Sequence, residues 1–188
     1  MANREKREFK ENVHLYLALS RPSKGGDKSA CIRTVIKNEE TDLAMLEAKL
    51  KIFGGKWRIH KTVNIRNCEK ARKILIKHLI DHPEQASCID ILWRTALLQK
   101  DCKETKYFML DIDTQDEEKI NILESLIPKS LREDWDKSNY ILSQTIRKKV
   151  KSPNGWHYIT LPFDTREICK LDYVTLKRDG YYYVKSVN

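Results

Sequence analysis

Residues 106–113 read Lys-Tyr-Phe-Met-Leu-Asp-Ile-Asp, followed by Thr-Gln-Asp-Glu-Glu to residue 118. The first eight alternate as a strand does. Phe108, Leu110 and Ile112 face one way, and Met109, Asp111 and Asp113 the other. Two carboxylates two residues apart on a strand project from one face, about 6–7 Å apart at Cα. Like charges this close repel unless a cation lies between them, and Mg²⁺ or Mn²⁺ suits such oxygen donors. The competing reading is a solvated strand end in which Asp113 helps to start the next element. Thr114 and Glu117 then match a Thr-x-x-Glu capping box for a helix through about residue 127.

Downstream, residues 141–150 read as a strand. Ser152-Pro153-Asn154-Gly155 reads as a tight turn, with Asn-Gly favouring a hairpin return along WHYITL. Alternation puts Trp156 and Tyr158 opposite His157, which a fixed turn would aim at one place. A histidine there can donate to a phosphate or act as a base, although a lone histidine is more often structural. Asp164 and Glu167 open a short helix. Residues 172–187 read as two strands about Arg178-Asp179-Gly180, with Asp-Gly again the turn signal.

Upstream, apolar content predicts strands at 13–20 and 30–37, joined by a loop, RPSKGGDKS, that contains Pro22, Gly25 and Gly26. That loop lacks the Gly-Lys-Ser/Thr order of a phosphate-binding loop. Leu43, Leu46, Leu50 and Phe53 predict a helix over 41–53, stopped by Gly54-Gly55. Residues 56–63 alternate as a strand. Asn67 caps a helix to about residue 80, and 84–98 reads as another amphipathic helix. The whole is α+β, a mixed or antiparallel sheet with flanking helices. The 188 residues suit one domain, with an α/β sub-region over 1–100 and a core over 106–184.

Charge is unevenly placed. The net +9 resolves into +10 over residues 1–80, −6 over 81–143 and +5 over 144–188. Basic flanks around a carboxylate-rich centre suit a polyanion plus a divalent cation; charged helix faces that happen to fall unevenly would give the same tally. Six glycines, five prolines and dispersed aromatics exclude collagen-like and wholly disordered classes. No apolar run approaches the roughly 20 residues of a membrane span, and the charged start MANREKREFKEN lacks a secretory pattern. Five cysteines without a CxxC pair argue for reduced thiols. The expectation is a cytoplasmic protein with no membrane partner.

Taken together, the apolar strand ending in Asp-x-Asp, the helix, the hairpin returning through Gly155-Trp156-His157 and the Lys177-Arg178-Asp179-Gly180 segment resemble the archaeo-eukaryotic primase superfamily over residues 106–184. The resemblance implies a primase–polymerase fold with an RRM-like catalytic core. It implies nucleotidyl transfer on a nucleic-acid template from nucleoside triphosphates, with Asp111 and Asp113 holding Mg²⁺ or Mn²⁺ and His157 on the nucleotide phosphates. It leaves a replicative helicase as a candidate partner. The segment WRIHKTVNIRN is similar to one in some phage members, which would give Arg58 and Arg66 phosphate-binding roles; ordinary surface arginines are the alternative. Lys148, Lys149, Lys151, Lys177 and Arg178 could line the site or be solvated hairpin ends.

The chain departs from the family at the third motif. Alignment on Gly180 puts Thr175 near the expected metal-binding Asp, and Asp172 substitutes only through a register shift, such as a bulge would give. Three function classes therefore stay open: a polymerase-like transferase, a catalytically degenerate nucleic-acid- or nucleotide-binding protein, and a metal-dependent nuclease with His157 as base. No Gly-x-Ser-x-Gly elbow or HExxH spacing occurs, and His78 and His82 read as exposed.

Overall fold

The computed structural model describes residues 12–21, 29–129 and 145–188. The 22–28 part of the predicted glycine-containing loop and the first four residues of the predicted 141–150 strand lie outside them. The described residues form nine strands and four α-helices in two antiparallel sheets, an α+β architecture.

The first sheet has the order β2-β1-β3-β9, from β1 (Asn12–Arg21), β2 (Cys31–Ile36), β3 (Lys56–Thr62) and β9 (Tyr181–Val187). A short β4 (Arg66–Asn67) pairs with the start of β1. Helix α1 (Glu39–Phe53) covers one face, seating Leu46 and Leu50 on Tyr16, Ala18, Trp57 and Ile59. Each such fully buried side chain is worth about 1.5–3 kcal/mol. Helices α2 (Cys68–Asp81) and α3 (Ile89–Leu98) cover part of the other face, where Ala71, Ala96 and Leu97 meet Val13 and Leu15.

The second sheet has the order β6-β7-β5-β8, from β5 (Phe108–Ile112), β6 (Ile146–Lys151), β7 (Trp156–Thr160) and β8 (Val174–Lys177). Its apolar face carries Leu110, Ile112, Tyr158 and Val174 and is closed by Leu123 and Ile127 of α4 (Glu117–Lys129). The opposite face turns toward the first sheet, and Met109 and Ile159 pack there on Val63 and Tyr182.

Local chemistry sets the boundaries. Helix α1 starts two residues before the predicted 41, because Asn38 caps it by accepting the Glu40 and Thr41 amides. Gly54 and Gly55 follow that helix at φ 66° and 82°, a region open to glycine. Asn67 caps α2 as expected, accepting the Lys70 amide. The 84–98 helix is split: a 3₁₀ segment over Pro83–Cys88 precedes α3. The predicted capping box is replaced by two short steps, in which Thr114 Oγ1 accepts the Asp116 amide and Asp116 accepts that of Glu118.

The largest difference concerns residues 172–187. The two strands do not pair with each other: β8 joins β5 in the second sheet and β9 joins β3 in the first. The Arg178-Asp179-Gly180 segment crosses between sheets, and Gly180 does not adopt positive φ. Asp-Gly marks a local turn, but pairing was decided by distant partners. Asp179 is held by Arg66, Asn64 and Lys103, while Gly180 O accepts the Val63 amide.

Among the described residues no helix is long and apolar enough to cross a membrane. None of the five cysteines is joined in a disulfide; Cys68 and Cys102 are buried, and the other three are exposed.

Candidate functional site between the two sheets

Asp111 sits on β5, in the middle of the second sheet, directly opposite His157 of β7 and Thr175 of β8. Its two carboxylate oxygens have different partners. Oδ1 accepts from His157 Nε2 at 3.1 Å, and Oδ2 accepts from Lys177 Nζ at 2.5 Å. The other ring nitrogen of His157, Nδ1, accepts the backbone N–H of Tyr183 in β9 at 2.9 Å. An acceptor Nδ1 leaves the ring proton on Nε2, so one histidine joins both sheets and donates to Asp111.

The hydrogen bond from His157 and the Lys177 ammonium hold the Asp111 carboxyl at about 2, well below its ordinary 3.8, against the opposing effect of burial. A depressed carboxyl stabilises the fold above its unfolded pKa, and that contribution is lost as pH falls through the folded value. Denaturant titrations should therefore show the stability gap between the native chain and Asp111→Asn whole at about pH 6, smaller at about pH 3.5, about a third of its size at pH 2.5 and closed only near pH 1. A gap unchanged with pH would disprove the assignment.

Across from this pair, β3 alternation sends Trp57 and Ile59 into the α1 core and Arg58 and His60 toward the second sheet. Arg58, His60 and Tyr183 meet Asp111, Asp113, His157 and the 152–154 turn around a polar cleft of about 130 Å³. Burial is the main cause that lowers the His60 pKa, followed by nearby His157. Its Nδ1 is buried without a hydrogen-bond partner among the described residues. The sequence reading missed His60, although its signal was present in the Arg-x-His spacing of the alternating strand. Asp113 is exposed at the end of β5, and its backbone N–H is fixed by Tyr173 O at 2.9 Å.

The turn before His157 is built by close approach. Ser152 N–H donates to Gly155 O, and Gly155 N–H to Ser152 Oγ. A Cβ on Gly155 would stand 1.9 Å from Ile112 O and 2.8 Å from Thr114 N. The small residue in Gly-x-His is thus required by the backbone that carries the two aspartates.

Other candidates fall elsewhere. Arg66 is 1% exposed and is bound by its Nη2 to both Asp179 oxygens, at 2.7 and 2.8 Å. Arg66 is therefore not the ordinary surface arginine of the alternative reading, and it does not line the cleft; burial of an arginine demands such a partner. The β5–β8 ladder runs without a bulge, so Thr175 faces Asp111, and Asp172 is exposed in the turn before β8. Lys148 lies over the Tyr182 ring, 5.0 Å from its centroid; Lys149 binds Glu124 on the α4 side. Lys151 and Arg178 are exposed and do not line the cleft. Among the described residues no cluster of three or more His, Cys, Asp or Glu side chains could hold a metal ion.

Fold and cleft together define an α+β protein with an acid–histidine site between two antiparallel sheets. Comparison of the chain with protein-family models, curated proteins and solved structures finds no match.

Proposed function

We propose that the chain is a metal-dependent nucleotidyltransferase of the primase–polymerase type, acting on a nucleic-acid template with nucleoside triphosphates. The observation that carries this reading is the pairing of Asp111 with His157 inside a polar cleft that also takes in Asp113 and Arg58. Two carboxylates fit Mg²⁺ or Mn²⁺, which are commonly held by one or two carboxylates with substrate phosphates completing the shell. The fit has one condition: Lys177 must leave Asp111 Oδ2. When bound, the ion supplies charge neutralisation and lowers the pKa of the attacking hydroxyl.

The chain's own residues do the positioning. Arg58 presents a planar fork to a triphosphate. His157 offers its single ring N–H, at Nε2, to Asp111 or to a phosphate oxygen. Neither of its nitrogens is open to accept a proton from water, which disfavours the nuclease with His157 as base. Asp111, Asp113 and His157 would act at the reacting atoms, and Lys177 would return to Asp111 between cycles.

A second reading is favoured by Thr175 and by the Lys177–Asp111 ion pair: binding of nucleotide or nucleic acid without turnover. One experiment separates the readings: labelled primer on single-stranded DNA, Mn²⁺, and ribo- or deoxynucleotides. The proposal expects incorporation that drops by at least about 100-fold, the scale of losing a catalytic metal ligand's support, in Asp111→Ala with Asp113→Ala. Incorporation that survives the double substitution would overturn it. Salt-sensitive binding in chelator with no incorporation would establish the binding protein instead.

A further inference from the structure

We propose a second, separate site: the open edge of β2 takes up an extended acidic peptide as an added strand. Its argument starts from backbone geometry. Ser20 N–H donates to Ala30 O at 2.9 Å, which makes this a hydrogen-bonded pair. In an antiparallel ladder such pairs recur every second residue. The unbroken register Ala18↔Ile32, Tyr16↔Thr34 and His14↔Ile36 therefore exchanges bonds across β1 and β2. Cys31, Arg33 and Val35 turn their N–H and C=O groups the other way. Leu15, opposite Val35, agrees with this phase, since its N–H is directed at Thr62 Oγ1 of β3. Among the described residues β2 has no neighbour on that side.

This edge is the floor of a groove of about 860 Å³. That volume lies within the roughly 300–1,000 Å³ of ligand sites. Met45 and Lys49 of α1 form one wall, and Trp93 and Arg94 of α3 the other. Met45 is 72% exposed. Six residues of strand span about 20 Å, so an added strand would send alternate side chains to each wall, and each wall offers one apolar and one basic group.

Charge selects the occupant. Arg33, Lys37, Lys49 and Arg94 line the groove, with Asp42 as its single acid. The Asp42 carboxylate is spent on the Lys37 and Asn38 backbone amides, and Arg94 shares its charge with Asp90 on its own helix. The remaining balance, carried by Arg33 and Lys49, is positive, so it favours glutamate or aspartate. A nucleic-acid strand meets the charge but has no donors along its phosphate backbone for the outward carbonyls of Arg33 and Val35. A peptide main chain satisfies both edge donors and acceptors, as in strand addition generally.

The test uses the full chain and a labelled nine-residue peptide of alternating glutamate and valine, read by fluorescence anisotropy, with amide shifts mapped by NMR. The expected result is saturable binding that perturbs residues 31–36. It weakens about tenfold or more, the scale of one or two lost main-chain hydrogen bonds, when alternate peptide nitrogens in one phase are methylated, and little in the other phase. Lys49→Glu with Arg94→Glu weakens binding similarly, and a lysine–valine peptide fails to bind. The idea is overturned if both methylated peptides bind like the parent, if no saturation occurs below 1 mM, or if single-stranded DNA displaces the peptide from residues 31–36 and binds there more tightly. Neither metal nor nucleotide enters the readout, and Asp111→Ala with Asp113→Ala should bind the peptide normally. Failure here is thus distinguishable from failure of the transferase reading.

Discussion

Gly155→Ala is expected to destabilise the protein by about 4 kcal/mol or more, the range in which one substitution threatens a marginally stable fold. Ordinary overpacking costs about 1–3 kcal/mol because flexible side chains give way. Here the obstacle is the backbone of Ile112 and Thr114, with the new methyl 1.9 Å from a carbonyl oxygen. Relief requires β5 to part from the 152–155 turn, and that movement disturbs Asp111 and His157 together. Urea titration should show a much lower midpoint, and any folded fraction should lose the Tyr183 N–H to His157 hydrogen bond, visible as a shifted Tyr183 amide. Serine at 155 should behave like alanine, because its Cβ meets the same atoms. A midpoint within experimental error of the native chain would refute this account of the Gly-x-His spacing.

Arg66→Met should be the second large effect, a loss of about 3 kcal/mol, at the low end for breaking a buried pair. The low end applies because Asp179 keeps Lys103 and Asn64 and is itself partly exposed. Asp179→Asn added to Arg66→Met should cost less than the sum of the two single changes. That non-additivity is the signature of a direct pair. If Arg66 instead served phosphate binding, its replacement would weaken nucleic-acid affinity and leave the urea midpoint in place.

Much of the fold was legible because it rests on local rules. Apolar content in residues 13–20 and 30–37, alternation in 106–113, the Asn67 cap and the Gly54-Gly55 stop all have structural counterparts. The segment 84–98 was less legible, since amphipathic spacing alone does not distinguish a 3₁₀ opening after Pro83 from one continuous helix. Arg66 and the 172–187 strands show a different limit. Each depends on a partner more than 100 residues away in sequence, or on another sheet altogether, and no window of the chain contains that partner. At the site, the aspartates and His157 could be read from strand parity. His60 was readable by the same parity, two residues from Arg58, but nothing local showed that this strand would face Asp111. That Lys177 would sit on Asp111 depended on β8 being β5's neighbour, which only the tertiary pairing supplies.

The chain's passage from β8 to β9 sets a mechanical limit on the cleft. Only residues 178–180 separate a strand of one sheet from a strand of the other. Four virtual bonds of about 3.8 Å reach at most about 15 Å, and Asp179 is pinned within that length. This connection behaves as a short leash, so at this end the two sheets can part by no more than that reach. Closing the cleft would return Tyr183 to His157, so that the hydrogen bond fixing the histidine's tautomer also reports when the gap is shut.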